Sequence, residues 1–504
     1  MRAFCCCLGL VAVAAFPSSG SAQNDSLPNP VAVGPPIQRI ATASALSTEP
    51  LGSILSVREL PDGRVLVNDG MRRRLLLMDT TLQAVEVVLD SLSEIANTYG
   101  TRPGALLPYH ADSTLFVDPA SFAMVVIDPA GRVVRVRSVW RVEDVGPVTA
   151  GGRFGWPGLD GRGRMVYRVA ARPAMPSVMP PQGVPWLPPQ PDSAFIVAVD
   201  LDTRRLDTLG AIRIPKTEMN LRRRLEGGFA IDQVYNPLPV TDEWAVLADG
   251  RVAFVRAIDY RIDYLHPDGS WSSSAKLPYD WQRLTDEDKQ SVVDSMRVVQ
   301  ERNATNTYVM LMIRWSNMFS RPYPQGFTVA DGWTPMPGIP RDWILPPGVT
   351  LPPDYVYACA PGETPAPPAA RAPPAAAGAR ATPGPPARPS CMPAPVMMSG
   401  GTAPPPPQQR HVIVMPPKDL PDYRPPLATG AVRADEDGHL WIRTNPPRPV
   451  PGGPVYDIID PAGELVQRLQ PPPGYTLVGF GRGRVVYLSM RDASGIHLAR
   501  VRLR

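Results

Sequence analysis

The stretch DGRVLVNDGMRRRLLLMD, residues 62–79, sets the pattern that the rest of the chain repeats. An Asp-Gly turn opens it, a short apolar strand runs to Asp69, and a second strand closes at Asp79 after a polar break. The stretch at 112–128, DSTLFVDPASFAMVVID, has the same order about 49 residues later, and DGRVAFVRAIDYRIDYLH at 249–266 repeats it again. Short strands that recur at such a period predict a repeated four-stranded sheet.

Length and composition limit the classes of protein that fit this chain. At 504 residues it is too long for a single small core, whereas several domains or a ring of repeated sheets would fit. The 65 prolines are far above ordinary usage and indicate long irregular segments. The net charge of +4 is small and spread along the chain, so it gives no reason to expect nucleic-acid binding.

The N-terminus, residues 1–22, has the three parts of a secretory signal peptide. Arg2 supplies the positive charge, residues 4–16 form a short apolar region, and small residues at 20–22 precede a cleavage site before Gln23. The apolar region is too short to span a bilayer and no later one is long enough, so no membrane span is expected. The sequence therefore predicts an exported bacterial protein, periplasmic or secreted.

Two cysteines remain after the signal peptide, Cys359 and Cys391. In an exported protein they could form one disulfide across the Pro-rich segment that contains them. The alternative is a pair of unpaired thiols in a loop, and the sequence leaves both open.

Period-two alternation and Asp/Gly punctuation indicate six copies of the repeat. They start near residues 53, 105, 154, 244, 430 and 475. The last copy ends one strand short, and the strand-like piece at 37–44 is placed to complete it as the outermost strand. The predicted fold is therefore all-β, a six-bladed β-propeller of four-stranded antiparallel blades closed by an N-terminal strand.

A long insertion, residues 279–428, interrupts the repeats and divides the propeller into residues 23–278, with blades 1–4 and the closing strand, and residues 429–504, with blades 5–6. The insertion begins with a predicted helix, because Thr285 and Asp288 form a capping box before an apolar stripe. Its later part, 335–427, is dominated by Pro, Ala and Gly and is expected to be extended or disordered.

The turns carry a family resemblance. The sequences DGRVLV at 62–67 and DGHLWI at 437–442, together with the DPAG turns at 128–131 and 460–463, resemble the NHL-type six-bladed propellers of exported bacterial proteins. The resemblance covers the repeats and not the insertion. It implies the fold, whereas members of this broad class range from ligand-binding proteins to hydrolases.

The connections between strands point to one face of the propeller. The three large insertions, 169–194, 279–428 and 444–454, all follow a second or a fourth strand of a copy, so they lie on one face, and loops on a rigid scaffold often bind ligands. The candidate site residues near the strand ends on this face are Asp69, Asp118, Arg168, Arg256, Arg443 and Arg491, with Arg153, Glu243 and Trp244 near the first strands. Arginines suit a polar or anionic ligand. Alternatively, these charges pair between neighbouring blades and only stabilise the ring.

Three functions follow from these observations. The first is a non-catalytic monomer that binds a small polar or anionic ligand, or an envelope protein, on the decorated face, with no metal and no cofactor. The second is a hydrolase that resembles the calcium-dependent lactonase propellers, with a metal held by acidic residues near Asp69, Asp118 or Glu243. The third is an extended Pro-rich arm that docks on envelope partners. No GxSxG or HExxH motif is present.

Overall fold

The computed structural model describes residues 34–91, 98–173, 186–223, 229–318, 413–446 and 450–503. These residues form seven β-sheets and two α-helices. The described part of the chain is therefore mostly β, with the four-stranded antiparallel sheets that the repeats predict. None of its helices is long and apolar enough to cross a membrane.

The first strands, β1 (Ile37–Arg39) and β2 (Ala45–Leu46), join sheets that form much later in the chain. Sheet I consists of β3 to β6, with the bounds Ile54–Glu59, Val65–Asp69, Arg74–Met78 and Val85–Asp90. Sheet II consists of β7 to β10, with the bounds Ala105–Pro108, Thr114–Asp118, Ala123–Ile127 and Val133–Ser138. After helix α1 (Val142–Thr149), sheet III consists of β11 to β14, with the bounds Gly158–Leu159, Met165–Arg168, Ser193–Val199 and Leu206–Arg213.

A small sheet interrupts this series and is formed by β15 (Glu218–Arg223), β16 (Phe229–Tyr235) and the later β21 (Ile413–Val414). Sheet IV consists of β17 to β20, with the bounds Glu243–Val246, Val252–Arg256, Arg261–Leu265 and Trp271–Ser273. Sheet V contains β1 and the strands β22 to β25, with the bounds Leu427–Ala434, Leu440–Thr444, Val455–Ile459 and Leu465–Gln470. Sheet VI contains β2 and the strands β26 to β28, with the bounds Tyr475–Gly481, Val485–Arg491 and Ile496–Arg502.

The core lies between neighbouring sheets. The second strand of sheet I, VLVND, and that of sheet II, TLFVD, are buried at every position, as expected for strands covered on both faces. Each sheet shares an apolar cluster with the next, and sheet VI shares one with sheet I. Each cluster contains residues of both sheets, for example Leu66 with Phe116, Leu115 with Met165, Val166 with Trp244, Ala253 with Ile442, Trp441 with Leu488, and Tyr487 with Leu76.

The N-terminal segment differs from its predicted role. Residues 37–44 were expected to complete sheet VI, but β1 pairs in parallel with β25 of sheet V, and the outermost strand of sheet VI is β2. The chain passes from one sheet to the other at Ile40, which is buried in the cluster between them. All three residues of β1 are exposed, so their alternation does not indicate which of two neighbouring sheet edges they join.

The insertion begins with α2 (Asp286–Met318), which is longer than the helix predicted for 285–302. The predicted capping box is present, because the Asp288 amide donates to Thr285 Oγ1 at 3.1 Å and the Thr285 amide donates to Asp288 Oδ2 at 3.0 Å. The N-terminal part of α2 packs on the small sheet through Val293 and Val234.

Ordered elements also occur where the Pro-rich segment was expected to be extended or disordered. Its described residues include β21, a 3₁₀ helix (Pro417–Asp419) and the first residue of β22. Residues 335–412, with Cys359 and Cys391, lie outside the described part of the chain. The sequence analysis also missed α1 and the hairpin of β15 and β16.

Candidate functional site

The long connections share one end of the sheets, which we call the loop end. In each sheet the strands alternate in direction, so the second strand ends, the third begins and the fourth ends at the same edge. The connections β12–β13, β20–β22 and β23–β24, which carry the three predicted insertions, leave from this edge. A fourth long connection, β14–β17, leaves from the same edge and contains the small hairpin.

A short segment before β11, residues 152–156, forms the wall of the site at the loop end. Trp244, which is fully buried on β17, holds it in place by donating its Nε1 hydrogen to the Phe154 carbonyl at 3.0 Å. Gly155 has φ +81°, and a Cβ there would stand 2.3 Å from Trp244 Nε1. Gly430 on β22 has φ +73°, and a Cβ there would stand 2.4 Å from the carbonyl oxygen of Gly152. Only glycine allows these two close approaches.

Glu243 is the buried carboxyl of this site, with 1% of its surface exposed. Its Oε1 accepts a hydrogen bond from the Gly430 amide at 2.9 Å, which joins β17 to β22. Burial raises the pKa of Glu243 to about 8, although the Gly430 hydrogen bond and the charges of Arg168 and Arg443 act in the opposite direction. At pH 7 this carboxyl is therefore mostly protonated and neutral.

Two arginines, Arg168 and Arg443, act on this carboxyl, and a third, Arg153, acts on Arg168. Arg168 ends β12, and its guanidinium carbon lies 4.7 Å from the centre of the Phe154 ring. Burial lowers the pKa of Arg168, the nearby Glu243 raises it, and the charge of Arg153 lowers it further, which places the three side chains within electrostatic reach. Arg443, near the end of β23, lowers the pKa of Glu243 through its positive charge. Arg153 and Arg443 are exposed, while Arg168 is half-buried.

The arginines carry more positive charge than the surrounding protein neutralises. Arg168 Nε is buried and has no hydrogen-bond partner among the described residues. Because burial favours the protonated form of Glu243, this carboxyl offsets the positive charge of the nearby guanidiniums only weakly. A guanidinium binds carboxylate or phosphate through two parallel N–H donors, so this arrangement suits an anion.

The structure thus brings together five of the nine predicted site residues: Arg153, Arg168, Glu243, Trp244 and Arg443. Trp244 contributes by packing, because its ring is fully buried and its one donor is used.

Two of the predicted residues are carboxylates that bind local backbone. Asp69 is fully buried and accepts hydrogen bonds from the Gly52 and Ser53 amides at 3.0–3.1 Å and from Arg74 Nε at 3.2 Å. Asp118 accepts hydrogen bonds from the Ala120 amide at 2.9 Å and from the Ser121 hydroxyl. Asp69 therefore fixes the segment that precedes β3, and Asp118 fixes the turn between β8 and β9.

The remaining two predicted residues are Arg256 and Arg491. Arg256 donates from Nε to Asp263 at 2.8 Å and from Nη1 to Asp242 at 3.2 Å, so its ion pairs form beside its own strand and not between neighbouring blades. Arg491, at the end of β27, is exposed.

The sequence analysis missed Phe154, Trp156, Gly430 and Arg433. The guanidinium of Arg433 on β22 lies over the Trp156 ring, 4.1 Å from its centre. No sequence motif surrounds Trp156 or Gly430. Phe154 and Arg433 could have been noticed, because an aromatic residue next to Arg153 and an arginine inside an otherwise apolar strand both depart from the repeat.

Metal binding receives no support from the described residues. Among them, no group of three or more His, Cys, Asp or Glu side chains is placed to hold a metal ion. Asp69, Asp118 and Glu243, proposed for that role from the sequence, belong to three different sheets.

Comparison with known proteins gives no family. No protein-family model matches the sequence, and no curated protein matches it. Among solved structures, the chain is similar to a calcium-binding protein, regucalcin, from Agrobacterium tumefaciens, with 10% identity over 93% of this chain and 98% of that one and a TM-score of 0.33. A gluconolactonase from Xanthomonas campestris has 11% identity over the same shares and a TM-score of 0.31.

A virginiamycin B lyase from Staphylococcus aureus has 10% identity over 46% of this chain and 72% of that one, with a TM-score of 0.24. These neighbours are β-propeller proteins. TM-scores this low do not define a shared fold, so we draw no conclusion from them, and the NHL type stays a prediction.

Proposed function

We propose that the chain is a six-bladed β-propeller that binds a small anionic ligand at its loop end. Sheets I–VI are the blades in this proposal. The apolar clusters between consecutive sheets, including the one between sheets VI and I, support a closed ring of six. The pairing of β2 with β28 supports closure of the ring by the N-terminal segment.

The observation that carries the binding proposal is the group of Arg153, Arg168 and Arg443 around the buried, mostly neutral carboxyl of Glu243. Several arginines of the fold pair with an aspartate, as Arg256 pairs with Asp263 at 2.8 Å. Arg168 has no such partner among the described residues. A charge kept without a partner in a partly buried site destabilises the fold, and a bound anion would offset that penalty.

Substitution of Arg168 by Gln tests the binding proposal. Isothermal titration would use the full chain with acetate, succinate and inorganic phosphate, and with ethanol as an uncharged probe. We expect the wild type to bind anions in preference to ethanol, with affinity that falls as salt rises. Arg168→Gln should weaken anion binding about tenfold or more, since a charge-assisted hydrogen bond contributes about 1.5–3 kcal/mol.

The matched control is Arg132→Gln, which alters an exposed arginine on an Asp-Pro-Ala-Gly turn and should leave anion affinity unchanged. Equal anion affinities for the wild type and Arg168→Gln would contradict the proposal, as would a preference for ethanol. Mass spectrometry of small molecules released from the purified protein by denaturation would identify a ligand that co-purifies.

The remaining predictions keep their status as proposals. They are export to the periplasm or the medium, a monomeric state, a disulfide between Cys359 and Cys391, and an interaction role for the Pro-rich segment. The hydrolase alternative is not adopted, because no observation on the described residues favours it over anion binding.

A further inference from the structure

We call Arg153, Arg168 and Arg443 the upper level of the site and Arg433 its lower level. Arg433 lies on β22, three residues after Gly430. Its guanidinium carbon lies 4.1 Å from the centre of the Trp156 ring and 5.2 Å from the centre of the Phe480 ring. One hydrogen bond is formed, from Nη2 to the Val478 carbonyl at 3.2 Å. Burial lowers the pKa of Arg433 to about 10, so the side chain is still a cation at neutral pH.

No carboxylate pairs with this cation among the described residues. Four other arginines that are largely covered form an ion pair with a nearby aspartate, and the pairs are Arg74 and Asp69, Arg164 and Asp160, Arg256 and Asp263, and Arg468 and Asp457. The titratable group that raises the pKa of Arg433 is the Tyr456 hydroxyl, and burial raises the pKa of this hydroxyl above its usual value, so it is uncharged at neutral pH. A covered guanidinium without a counter-charge is unfavourable unless a ligand supplies one.

The geometry leaves the edge of this guanidinium available. Two aromatic rings flank its faces, and one of its five N–H donors is used. Arg433 is partly exposed, and among the described residues only the Val478 carbonyl accepts a hydrogen bond from its guanidinium. Edge donors in one plane suit a carboxylate that accepts two parallel hydrogen bonds.

The two cationic levels lie on one continuous wall. Arg168 stacks on Phe154, and Arg433 stacks on Trp156, two residues further along the same segment. On the facing strand, the Gly430 amide binds Glu243 at the upper level, and Arg433 follows three residues later. At roughly 3.3 Å per residue, the levels are about 10 Å apart along β22.

We infer that the ligand is an elongated dicarboxylate, with one carboxylate at Arg433 and the other among Arg153, Arg168 and Arg443. Its apolar middle lies along the segment from Phe154 to Trp156. The inference rests on the proposed function, because it assigns the inner end of the same site. A ligand with a single anionic group would leave one of the two cationic levels unpaired.

The test compares unbranched dicarboxylates from four to ten carbons with monocarboxylates of the same length, by isothermal titration with the full chain at pH 7. In the wild type, we expect affinity to rise to an optimum among the longer dicarboxylates, about tenfold or more above the matched monocarboxylate. This length series needs no variant, so it remains informative if a substitution at Arg433 impairs folding.

Two substitutions separate the levels. Arg433→Leu should reduce the ratio of dicarboxylate to monocarboxylate affinity to about one, whereas Arg168→Gln should weaken both classes. Circular dichroism melts would establish that each variant is folded, and Arg132→Gln is the control. Arg433→Lys, which keeps the charge and loses the planar donors, should retain part of the ratio.

The outcomes distinguish the two proposals. In one outcome, Arg168→Gln weakens the binding of all acids while the wild type shows no preference for dicarboxylates of any length. In that case the proposed anion site is supported and the role of Arg433 as the second carboxylate site is refuted. An unchanged ratio in folded Arg433→Leu would also overturn the inference. Failure of the wild type to bind any acid would instead refute the proposed function itself.

Discussion

Glu243 gives the most direct test of the electrostatics of the site. Replacing it with Gln keeps the size and the acceptor for the Gly430 amide but removes the ionisable group. The pKa of Glu243 is about 8 in the folded protein, against 4.5 for an ordinary glutamate. Because the folded state binds this proton more tightly than the unfolded state, protonated Glu243 stabilises the fold. This contribution to the free energy of unfolding is fully present below pH 4.5 and is lost as pH rises towards 8.

The size of the effect follows from the two pKa values. Each tenfold difference in proton affinity corresponds to about 1.4 kcal/mol, so the loss is on the order of 3 kcal/mol at pH 7 and approaches about 5 kcal/mol above pH 8. Glu243→Gln cannot ionise and escapes this loss. The variant should therefore match the wild type near pH 4.5 and exceed its free energy of unfolding by a growing amount as pH rises.

Urea unfolding followed by circular dichroism from pH 5 to pH 9 would measure this difference. Glu86→Gln, at an exposed position on β6, is the matched control and should follow the wild type at every pH. A stability difference between Glu243→Gln and the wild type that stays constant over this range would refute the reasoning. So would a variant that is less stable than the wild type at pH 8, because the carboxylate would then be stabilised by Arg168 and Arg443.

Three further predictions concern residues that hold the fold. Asp69→Ala should lower the free energy of unfolding by about 3–5 kcal/mol, because it leaves buried donors unpaired. It should not change anion affinity, and a loss of affinity in the folded variant would place Asp69 in the site. Arg256→Ala should lower the free energy of unfolding by about 1–3 kcal/mol, measured by urea unfolding, again with affinity retained. A chain that begins at residue 49 should melt well below one that begins at residue 34, since it lacks β1 and β2; equal melting temperatures would argue against closure of the ring by these strands.

The sheets could be predicted from the sequence because each hairpin carries its own local signal. In sheet I, the Asp62 side chain accepts the Arg64 amide at 3.0 Å, and Gly63 has φ +85°, so the Asp-Gly pair itself determines the turn. An Asp-Gly pair, Asp437-Gly438, also precedes the second strand of sheet V, where the side chain of Asp435, two residues before the pair, accepts the Asp437 amide at 3.0 Å. Such interactions involve residues only two apart, and therefore appear in any window of the sequence.

Helix α1 gave no comparable signal. It contains Gly146 and Pro147, both poor helix formers, and no side chain caps its first turn. Its position is explained by tertiary contacts, because the buried Asp144 accepts a hydrogen bond from the Tyr167 hydroxyl at 2.6 Å. A helix that depends on a partner on β12 cannot be recognised from its own sequence.

The cluster at the loop end is still less visible in the sequence, because it joins sheets III, IV and V. The Gly430 amide and Glu243 are separated by 187 residues, and Trp244 reaches the Phe154 carbonyl across 90 residues. The repeat predicts that strand ends meet at one edge, which is how Arg168, Glu243 and Arg443 were selected. It does not predict which of the charges at that edge are neutralised within their own sheet.

Arg168 and Arg256 show this difference most clearly, since each is the last residue of the second strand in its sheet. In sheet IV, Asp263 lies opposite Phe254, two residues before Arg256, and therefore on the same face. From there it accepts the Arg256 Nε hydrogen at 2.8 Å.

In sheet III, the residue opposite Val166, two before Arg168, is Ala198. The position that holds a carboxylate in sheet IV thus holds a methyl group in sheet III, and Arg168 has no acceptor within its sheet. Two arginines that the repeat places at equivalent positions therefore have different roles. One is paired within the fold, and the buried Nε of the other has no hydrogen-bond partner among the described residues.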